Sequence, residues 1–289
     1  MKSRMSKFFN KALSIKSAVV LFSLIFIFIL KAGAGVMVAP TVVFLSDQKR
    51  TDRIIVQNPS DKPAEVTIRF SFGLPLTDSL GNVKVELQDS LITDPKSATD
   101  WIQAFPRKVI VPALGSQTIR LVARPPQDLP DGEYWTRIVV SSKEGEQATL
   151  ANENPDGIST QLNLIMQMAI MIKYRTGELV SEIELVDAKA SSNDDQIAVL
   201  LDLNNKGNVS YMGILEGRLV DADGKEISTN KVNLAVYRDM RRRLDFIRPG
   251  EEFKSPYKVE LFITPDGRND VPPEDMVKGN KISYSVVVE

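Results

Sequence analysis

The chain of 289 residues contains no cysteine and no histidine. Without cysteine it has no thiol nucleophile, no disulfide and no thiolate ligand for zinc or an iron–sulfur cluster. Without histidine it lacks the residue that most often serves as a general base or binds a transition metal. The composition therefore argues against an enzyme, and it predicts neither a cofactor nor a metal site.

Neither sign of charge dominates, because 36 basic residues stand against 37 acidic residues and the net charge is −1 at neutral pH. A domain that binds nucleic acid usually carries a marked excess of basic residues. We therefore expect no nucleic-acid partner. The main basic cluster consists of five arginines from Arg238 to Arg248. It could contact an acidic partner or lipid headgroups, but the acidic residues nearby favour a solvated segment that connects two strands.

The first 34 residues have the order of a secretory signal peptide. Basic residues from Lys2 to Lys16 precede an uncharged apolar run at residues 18–30, and Ala32-Gly33-Ala34 follows as a cleavage signal. This apolar run is shorter than the about 20 residues that a membrane-spanning helix needs. We expect cleavage after Ala34 and export to the periplasm. Retention as an uncleaved N-terminal anchor is the alternative, and only then would the membrane be a partner.

Short strand-like segments separated by turn residues follow from Val36 to the C-terminus. Residues 64–72 alternate between apolar and polar side chains, and Asn58-Pro59-Ser60-Asp61 has the composition of a turn. Strands at this spacing predict antiparallel all-β sandwiches. Pro40 interrupts the first strand, which we therefore expect at a sheet edge with a break. Residues 73–100 are less regular and predict loops with one short strand.

The longest regular segment runs from residue 161 to residue 174. Its even-numbered residues from Leu162 to Ile172 are all apolar, and polar residues lie at three of the odd positions between them: Asn163, Gln167 and Lys173. A period of two predicts a single long strand. Because leucine, methionine and alanine favour helices, and three of the other odd positions are apolar, a buried helix is the alternative.

The pattern of strands and turns continues beyond Arg175-Thr176-Gly177, where we expect a domain boundary. The predicted organisation is therefore a signal peptide at residues 1–34, a first domain at 35–176 and a second β-sandwich domain at 177–289. Each predicted domain is long enough to form its own hydrophobic core without disulfides.

Motifs spread over residues 36–175 carry a resemblance to a known family. They are a first strand with a proline before a phenylalanine, an asparagine turn, a Leu-Gly step before an arginine, a Gly-Glu-Tyr strand and a long strand ending in Tyr-Arg. The matching residues are Pro40, Phe44, Asn58, Pro63, Leu114, Gly115, Arg120, Gly132, Glu133, Tyr134, Arg137, Tyr174 and Arg175. This order resembles the periplasmic pilus chaperones of the PapD-like family, and the similarity is looser over residues 177–289.

The resemblance implies two immunoglobulin-like β-sandwich domains in tandem and a non-catalytic function. In that family the last strand of the first domain pairs with the edge of an incomplete pilin, which is β-augmentation. The residues that would bind the subunit here are Leu162, Leu164, Met166, Met168 and Ile170. The implied partner is a pilin-like or other secreted surface subunit, with an outer-membrane usher as a second partner if pilus assembly is the role.

The resemblance also implies a charged anchor that this chain lacks at the expected positions. Family members hold the terminal carboxylate of the subunit with an arginine on the first strand and a lysine on the long strand. The alignment places these two positions at Thr41 and Ala169. Lys173, Arg69 or Arg137 are the candidate substitutes. The second hypothesis is a non-catalytic immunoglobulin-like structural or adhesive protein of the cell surface, in which the long strand serves only the core.

Overall fold

A computed structural model describes residues 35–88, 93–144 and 164–288 of the chain. The predicted signal peptide at residues 1–34 and the predicted binding residue Leu162 lie outside these ranges. No helix in the described ranges is long and apolar enough to cross a membrane. The same ranges contain no group of three or more acidic side chains placed to hold a metal ion.

The described part of residues 35–176 forms a β-sandwich with an additional hairpin. Its strands are β1 (Met37–Ala39), β2 (Val42–Ser46), β3 (Thr51–Gln57), β4 (Ala64–Ser71), β5 (Pro75–Thr77), β6 (Val83–Val85), β7 (Ile102–Phe105), β8 (Lys108–Val111), β9 (Ser116–Ala123), β10 (Gly132–Glu144) and β11 (Ile165–Thr176). One sheet has the order β1-β3-β9-β7, the other has the order β2-β11-β10-β4-β8, and β5 pairs with β6.

The remainder of the described chain forms a second β-sandwich. Its strands are β12 (Ile183–Ser192), β13 (Gln196–Asn205), β14 (Tyr211–Val220), β15 (Glu226–Val236), β16 (Asp239–Ile247), β17 (Lys258–Thr264) and β18 (Ile282–Val287), with a short 3-10 helix at Pro273–Asp275. The two sheets have the orders β12-β13-β16 and β15-β14-β17-β18. The predicted all-β fold of two tandem sandwiches is confirmed.

Each sandwich buries its own apolar core between its two sheets. In the first, the alternating residues of β3, β4, β9, β10 and β11 point inward, and Ile54, Ile119, Ile138 and Ile172 have no exposed surface. Leu201, Leu215 and Val259 likewise have no exposed surface, and they lie in the core of the second sandwich. These residues follow the period of two that predicted the strands.

An asparagine side chain closes the corresponding turn in each sandwich. The Asn58 side chain, after β3, donates to the carbonyl oxygens of Lys62, Val111 and Pro112 at 2.7–3.2 Å. The Asn205 side chain, at the end of β13, donates to three carbonyl oxygens at 2.8–3.2 Å in the same way. In both turns the side-chain oxygen accepts from the backbone two residues later. Each amide thus satisfies backbone carbonyls that no strand partner reaches.

Residues 73–88 differ from the sequence-based expectation of loops with one short strand. They form a hairpin of two short strands, β5 and β6, and Phe72 bridges to Gln88 at its base. The hairpin contacts the second sandwich, because Thr77 Oγ1 accepts a hydrogen bond of 2.9 Å from the Arg241 backbone. The predicted strand-connecting segment around Arg241 is itself a strand, β16, in which that arginine forms an ion pair with Asp202.

Candidate functional site

The long predicted strand is β11, and its two sides have different neighbours. On one side β10 pairs with it in antiparallel fashion along its whole length, from Ile165 opposite Lys143 to Thr176 opposite Gly132. On the other side β2 runs parallel to it but covers only the stretch from Met171 to Arg175. The helix alternative for this segment is therefore wrong. Within the described residues, no strand pairs with β11 on the β2 side over residues 165–170, which form its free edge.

The free edge exists because the first strand of the chain changes sheets. Residues 37–39 form β1 and pair with β3 in the opposite sheet, and the chain reaches β11 only at Val42. Pro40, preceded by a cis peptide bond, lies at the crossing point. Proline cannot donate to a strand ladder, so it suits this interruption. Pro40 thus marks in the sequence where the edge of β11 loses its cover.

The even-numbered side chains of β11 change gradually from exposed to buried along the strand. Leu164 is 61% exposed, Met166 is 36% exposed, and Ile170 is 7% exposed. Met168 is partly buried against the first core. Met166 is less exposed than Leu164 because the backbone at Gly35 lies directly against its side chain. Any side chain at position 35 would collide with the Met166 sulfur.

These positions divide the predicted binding residues into two groups. Leu164, Met166 and Met168 form an apolar row next to the free backbone edge. Ile170 differs, because it belongs to the core of the first sandwich together with Ile172 and Tyr174. Ile170 is buried because the opposing sheet of the first sandwich packs against this part of β11. The part of the strand open to a partner is therefore its first half, residues 164–169.

The odd-numbered side chains in the second half of β11 enter a buried ionic network at the junction of the two sandwiches. Glu133 of β10 lies at its centre and has no exposed surface. Lys173 Nζ donates to Glu133 Oε1 at 3.2 Å, and Arg175 Nε donates to Glu133 Oε2 at 2.8 Å. Ser210, which precedes β14 in the second sandwich, donates from its hydroxyl to Glu133 Oε1 at 2.6 Å. One carboxylate thus connects both sandwiches.

The electrostatics of this network keep Glu133 ionised. Burial alone would raise the pKa of its carboxyl group, but the charges of Lys173 and Arg175 outweigh that effect. Hydrogen bonds from Ser210 and Trp135 act in the same direction, and the pKa falls from 4.5 to about 2. Lys173 also donates to the Ser210 hydroxyl.

The aligned anchor positions and their three candidate substitutes lie in different environments. Thr41 and Ala169 are exposed and uncharged, close to the free edge. Lys173 is buried and fully engaged with Glu133, so it is not accessible to an incoming carboxylate. Arg69 already interacts with another group of the chain. Arg137 is half-buried opposite Met171 on β10 and donates from Nε to the Gly73 carbonyl oxygen at 2.7 Å.

Comparison with known proteins finds a likeness only among solved structures, since neither a protein-family model nor a curated protein matches the chain. The chain is similar to pilus chaperones. It is 16% identical to the YadV chaperone with a TM-score of 0.43, covering 87% of this chain and 98% of that one. It is 12% identical to the CupB2 chaperone of Pseudomonas aeruginosa, with a TM-score of 0.43 and coverage of 88% and 100%.

A third similar structure is the CsuC–CsuE chaperone–tip adhesion subunit complex from the Csu pili of Acinetobacter baumannii. The identity is 13% and the TM-score 0.43, over 89% of this chain and all of the matched chain. All three matches extend over both sandwiches of the present chain.

The sequence predicts the strand but does not reveal the network behind it. Glu133 belongs to the Gly-Glu-Tyr motif, and nothing in that motif indicates a role in the junction. Its partners Lys173 and Ser210 are 40 and 77 residues away in the sequence. One local signal is present in the sequence, because Glu133 directly precedes two aromatic residues, Tyr134 and Trp135, and a glutamate buried with them requires a charged partner.

Proposed function

We propose that the chain is a periplasmic chaperone-like protein that binds and caps a pilus, fimbrial or other secreted surface subunit by donating a strand. The carrying observation is the free edge of β11 over residues 165–170, next to the exposed Leu164 and Met166. A partner strand placed there would pair with β11 in the stretch that precedes the first residue of β2, and would extend the sheet β2-β11-β10-β4-β8 at that edge. The proposed role is binding, without catalysis.

The physical argument starts from the backbone. Unpaired N–H and C=O groups along a strand edge invite pairing with another chain, and natural proteins usually cover or charge such edges. Here the exposed side chains at the edge carry no charge, and three of them are large and apolar: Leu164, Ile165 and Met166. A subunit that lacks a strand would gain main-chain hydrogen bonds from the edge. It would also bury these side chains at about 25 cal/mol per Å² of apolar surface.

The remaining parts of the predicted organisation fit this role and belong to the same proposal. Residues 1–34 would be a signal peptide that directs export, residues 35–176 the strand-donating domain and residues 177–289 the second immunoglobulin-like domain. Thr41 and Ala169 carry no charge for a subunit carboxylate, and Lys173 is engaged elsewhere. Arg137 is the substitute whose guanidinium forms no ion pair within the described residues, so we assign it that role.

A co-purification experiment tests the proposal. The exported chain is expressed with candidate subunits encoded beside it, and recovery of a small subunit is compared for the wild type, Leu164→Asp and Met166→Asp. A buried charge opposite an apolar subunit face should reduce recovery at least about tenfold. Ile247→Asp is the matched control, because Ile247 is 84% exposed at the end of β16 in the second sandwich.

Folding of each variant is checked by circular dichroism and by thermal unfolding. Loss of the subunit with Leu164→Asp and Met166→Asp, but not with Ile247→Asp, supports strand donation. An unchanged set of partners in all three variants would contradict it and would favour the structural or adhesive hypothesis. Because the chain has no cysteine, Leu164→Cys provides a unique cross-linking position that shows whether the subunit lies on this edge.

A further inference from the structure

The sheet on the opposite side of the first sandwich presents an outward face with an unusual charge pattern. In the order β1-β3-β9-β7, the residues of β3 with odd numbers and those of β9 with even numbers point to solvent. Arg53 on β3 and Arg120 on β9 are directly opposite each other in the register, and both are exposed. Like charges in this position repel and destabilise a sheet.

No carboxylate within the described residues neutralises either arginine. The four strands of this sheet contain one acidic residue, Asp52, which belongs to the opposite parity of β3 and pairs with Lys49 at 2.6 Å. Neither the Arg53 nor the Arg120 guanidinium forms an ion pair or a hydrogen bond in this part of the structure. The outward face therefore carries an uncompensated pair of positive charges, although the whole chain has a net charge of −1.

The second sandwich treats its sheet arginines differently. Arg218 pairs with Glu216 at 2.6 Å, and Arg243 pairs with Asp245 at 2.7 Å. In both cases the carboxylate lies two residues away on the same strand, and therefore on the same face. This local pairing is absent at Arg53 and Arg120, where the residues two positions away are uncharged. A like-charge pair also occurs between Asp187 and Asp202 of the second sandwich, but there Lys189 and Arg241 pair with the two carboxylates. The arginine pair has no such counterion among the described residues.

Exposed apolar side chains surround the two arginines. Phe105 on β7 is directly opposite Arg120 in the register and is 49% exposed. Ile55 is 43% exposed two residues from Arg53, and Met37, 51% exposed on the adjacent β1, extends the same face further along β3, opposite Gln57. Arginine, phenylalanine and methionine are the residue types enriched at protein–protein interfaces. The face combines the anchors of such an interface with a charge that has no internal partner.

We propose that this face, defined by Arg53, Arg120, Ile55, Phe105 and Met37, is a second docking surface for an acidic protein segment. The segment would place glutamate or aspartate side chains between the two arginines and apolar side chains on Phe105 and Ile55. The occupant is expected to be acidic, because its carboxylates would complement the positive charges of Arg53 and Arg120. The mixed composition favours a protein over a lipid surface, because the four strands carry only two outward-facing cations, among exposed apolar side chains.

This surface and the free edge of β11 belong to different sheets of the same sandwich. A partner on the arginine face would leave residues 164–170 accessible, so two partners could be bound at the same time. The inference is independent of strand donation, because it depends on no residue of β11. Its test therefore gives the same result whether the proposed function holds or fails.

The test uses a synthetic 12-residue peptide of alternating glutamate and leucine, and a second peptide in which glutamine replaces glutamate. Binding to the full chain is followed by fluorescence anisotropy in 50 mM and 500 mM salt. We expect the acidic peptide to bind more tightly than the glutamine peptide and to weaken at high salt. The double variant Arg53→Gln, Arg120→Gln should weaken binding at least about tenfold.

Arg218→Gln is the matched control, because Arg218 is an exposed sheet arginine with its own carboxylate. Equal weakening in this control would overturn the proposal, since it would reveal only a general charge effect. So would a double variant that binds the peptide as the wild type does. Binding to vesicles of phosphatidylglycerol and phosphatidylcholine without binding to the peptide would also overturn it. Leu164→Asp should leave peptide affinity unchanged.

A stability measurement provides an independent readout. Arg53→Glu converts the repulsive pair with Arg120 into an attractive cross-strand pair, so the thermal midpoint should rise by about 1–4 °C. The same substitution should abolish binding of the acidic peptide. A variant that is more stable yet no longer binds shows that the repulsion is retained for a partner. A lower midpoint would contradict the cost assigned to the arginine pair.

Discussion

The two halves of β11 share a strand, a partner strand and a sequence pattern, yet they have opposite surroundings. In the first half, up to Ile170, the β2 side of the backbone is free and the even-numbered side chains are exposed or only partly covered until Ile170. In the second half, β2 pairs with the backbone and the side chains on both faces are buried. Ile172 points into the first core, and Lys173 enters the network with Glu133.

The difference teaches that one long strand can serve both as an interface and as a structural joint. The second half connects the two sandwiches through packing and charge and therefore holds the first half in place. A rigid, preformed edge loses little conformational freedom when a partner pairs with it. The same amino-acid pattern thus has two roles, which depend on where β2 begins.

The largest expected effect comes from breaking the ionic part of the second half. Lys173→Ala removes one of the two cations that pair with Glu133. It also removes the hydrogen bond that Lys173 donates to the buried Ser210 hydroxyl. Breaking a buried ion pair by removing one partner typically costs about 3–5 kcal/mol. We expect a loss of this size in the free energy of unfolding, measured by chemical denaturation.

Lys189→Ala is the control for that experiment. Lys189 pairs with Asp187 at 2.8 Å but is 81% exposed, so its removal should change stability by less than about 0.5 kcal/mol. Equal effects of the two substitutions would mean that the Glu133 network contributes no more than a surface ion pair.

The next effect concerns side-chain burial along the strand. Ile172→Ala removes a side chain without exposed surface and should cost about 2–5 kcal/mol, through lost burial and the cavity that remains. Leu164→Ala, in the free half, should change the free energy of unfolding by less than about 0.5 kcal/mol. The pair is measured by thermal or urea unfolding. A large cost at Leu164 would show that its side chain is covered by another part of the chain.

Acid should weaken the joint in a defined range of pH. The folded chain holds the Glu133 carboxyl group with a pKa of about 2, whereas its usual value is 4.5. The resulting stabilisation is therefore complete above about pH 4.5 and is lost as the pH falls towards 2. We expect up to about 3 kcal/mol to disappear over this range. Urea unfolding of the wild type and Glu133→Gln at several pH values isolates the contribution.

Glu184→Gln serves as the control, since Glu184 is half-exposed and pairs with Lys206 at the surface. The wild type and this control should lose stability in parallel as the pH falls, while Glu133→Gln shows a shallower dependence. An equally steep dependence in Glu133→Gln would assign the acid sensitivity to other carboxyl groups.

The strand pattern could be predicted from the sequence because its period depends only on neighbouring residues. Alternation at residues 161–174 predicts a strand, which is confirmed for residues 165–174, and Pro40 correctly indicates a break at an edge. The sequence could not show that β2 begins only at Val42, because sheet order depends on contacts between distant segments. For the same reason the sequence pattern places Ile170 with the subunit-binding residues, whereas Ile170 is buried in the core of the first sandwich.

The candidate anchor residues show the same limit. Lys173 looked available because lysine is usually exposed. Its burial depends on Glu133 and on Ser210, which belongs to the other sandwich, and no local pattern in β11 reveals either contact. The arginines from Arg238 to Arg248 were predicted to be solvated near acidic residues. Arg238 and Arg241 indeed form ion pairs, but with the distant Asp94 and Asp202.

The smallest expected effect is local: hydrogen exchange of the backbone amides should distinguish the two halves of β11 without any substitution. In the second half, backbone amides can bond to β10 or to β2, so successive amides should all be protected from hydrogen exchange. In the first half, only the amides that face β10 have a partner, so every second amide should exchange with little protection. Nuclear magnetic resonance of the free chain measures this alternation residue by residue. Uniform protection from Ile165 to Thr176 would mean that the edge is covered in solution, and the chain could then donate it only after losing that cover.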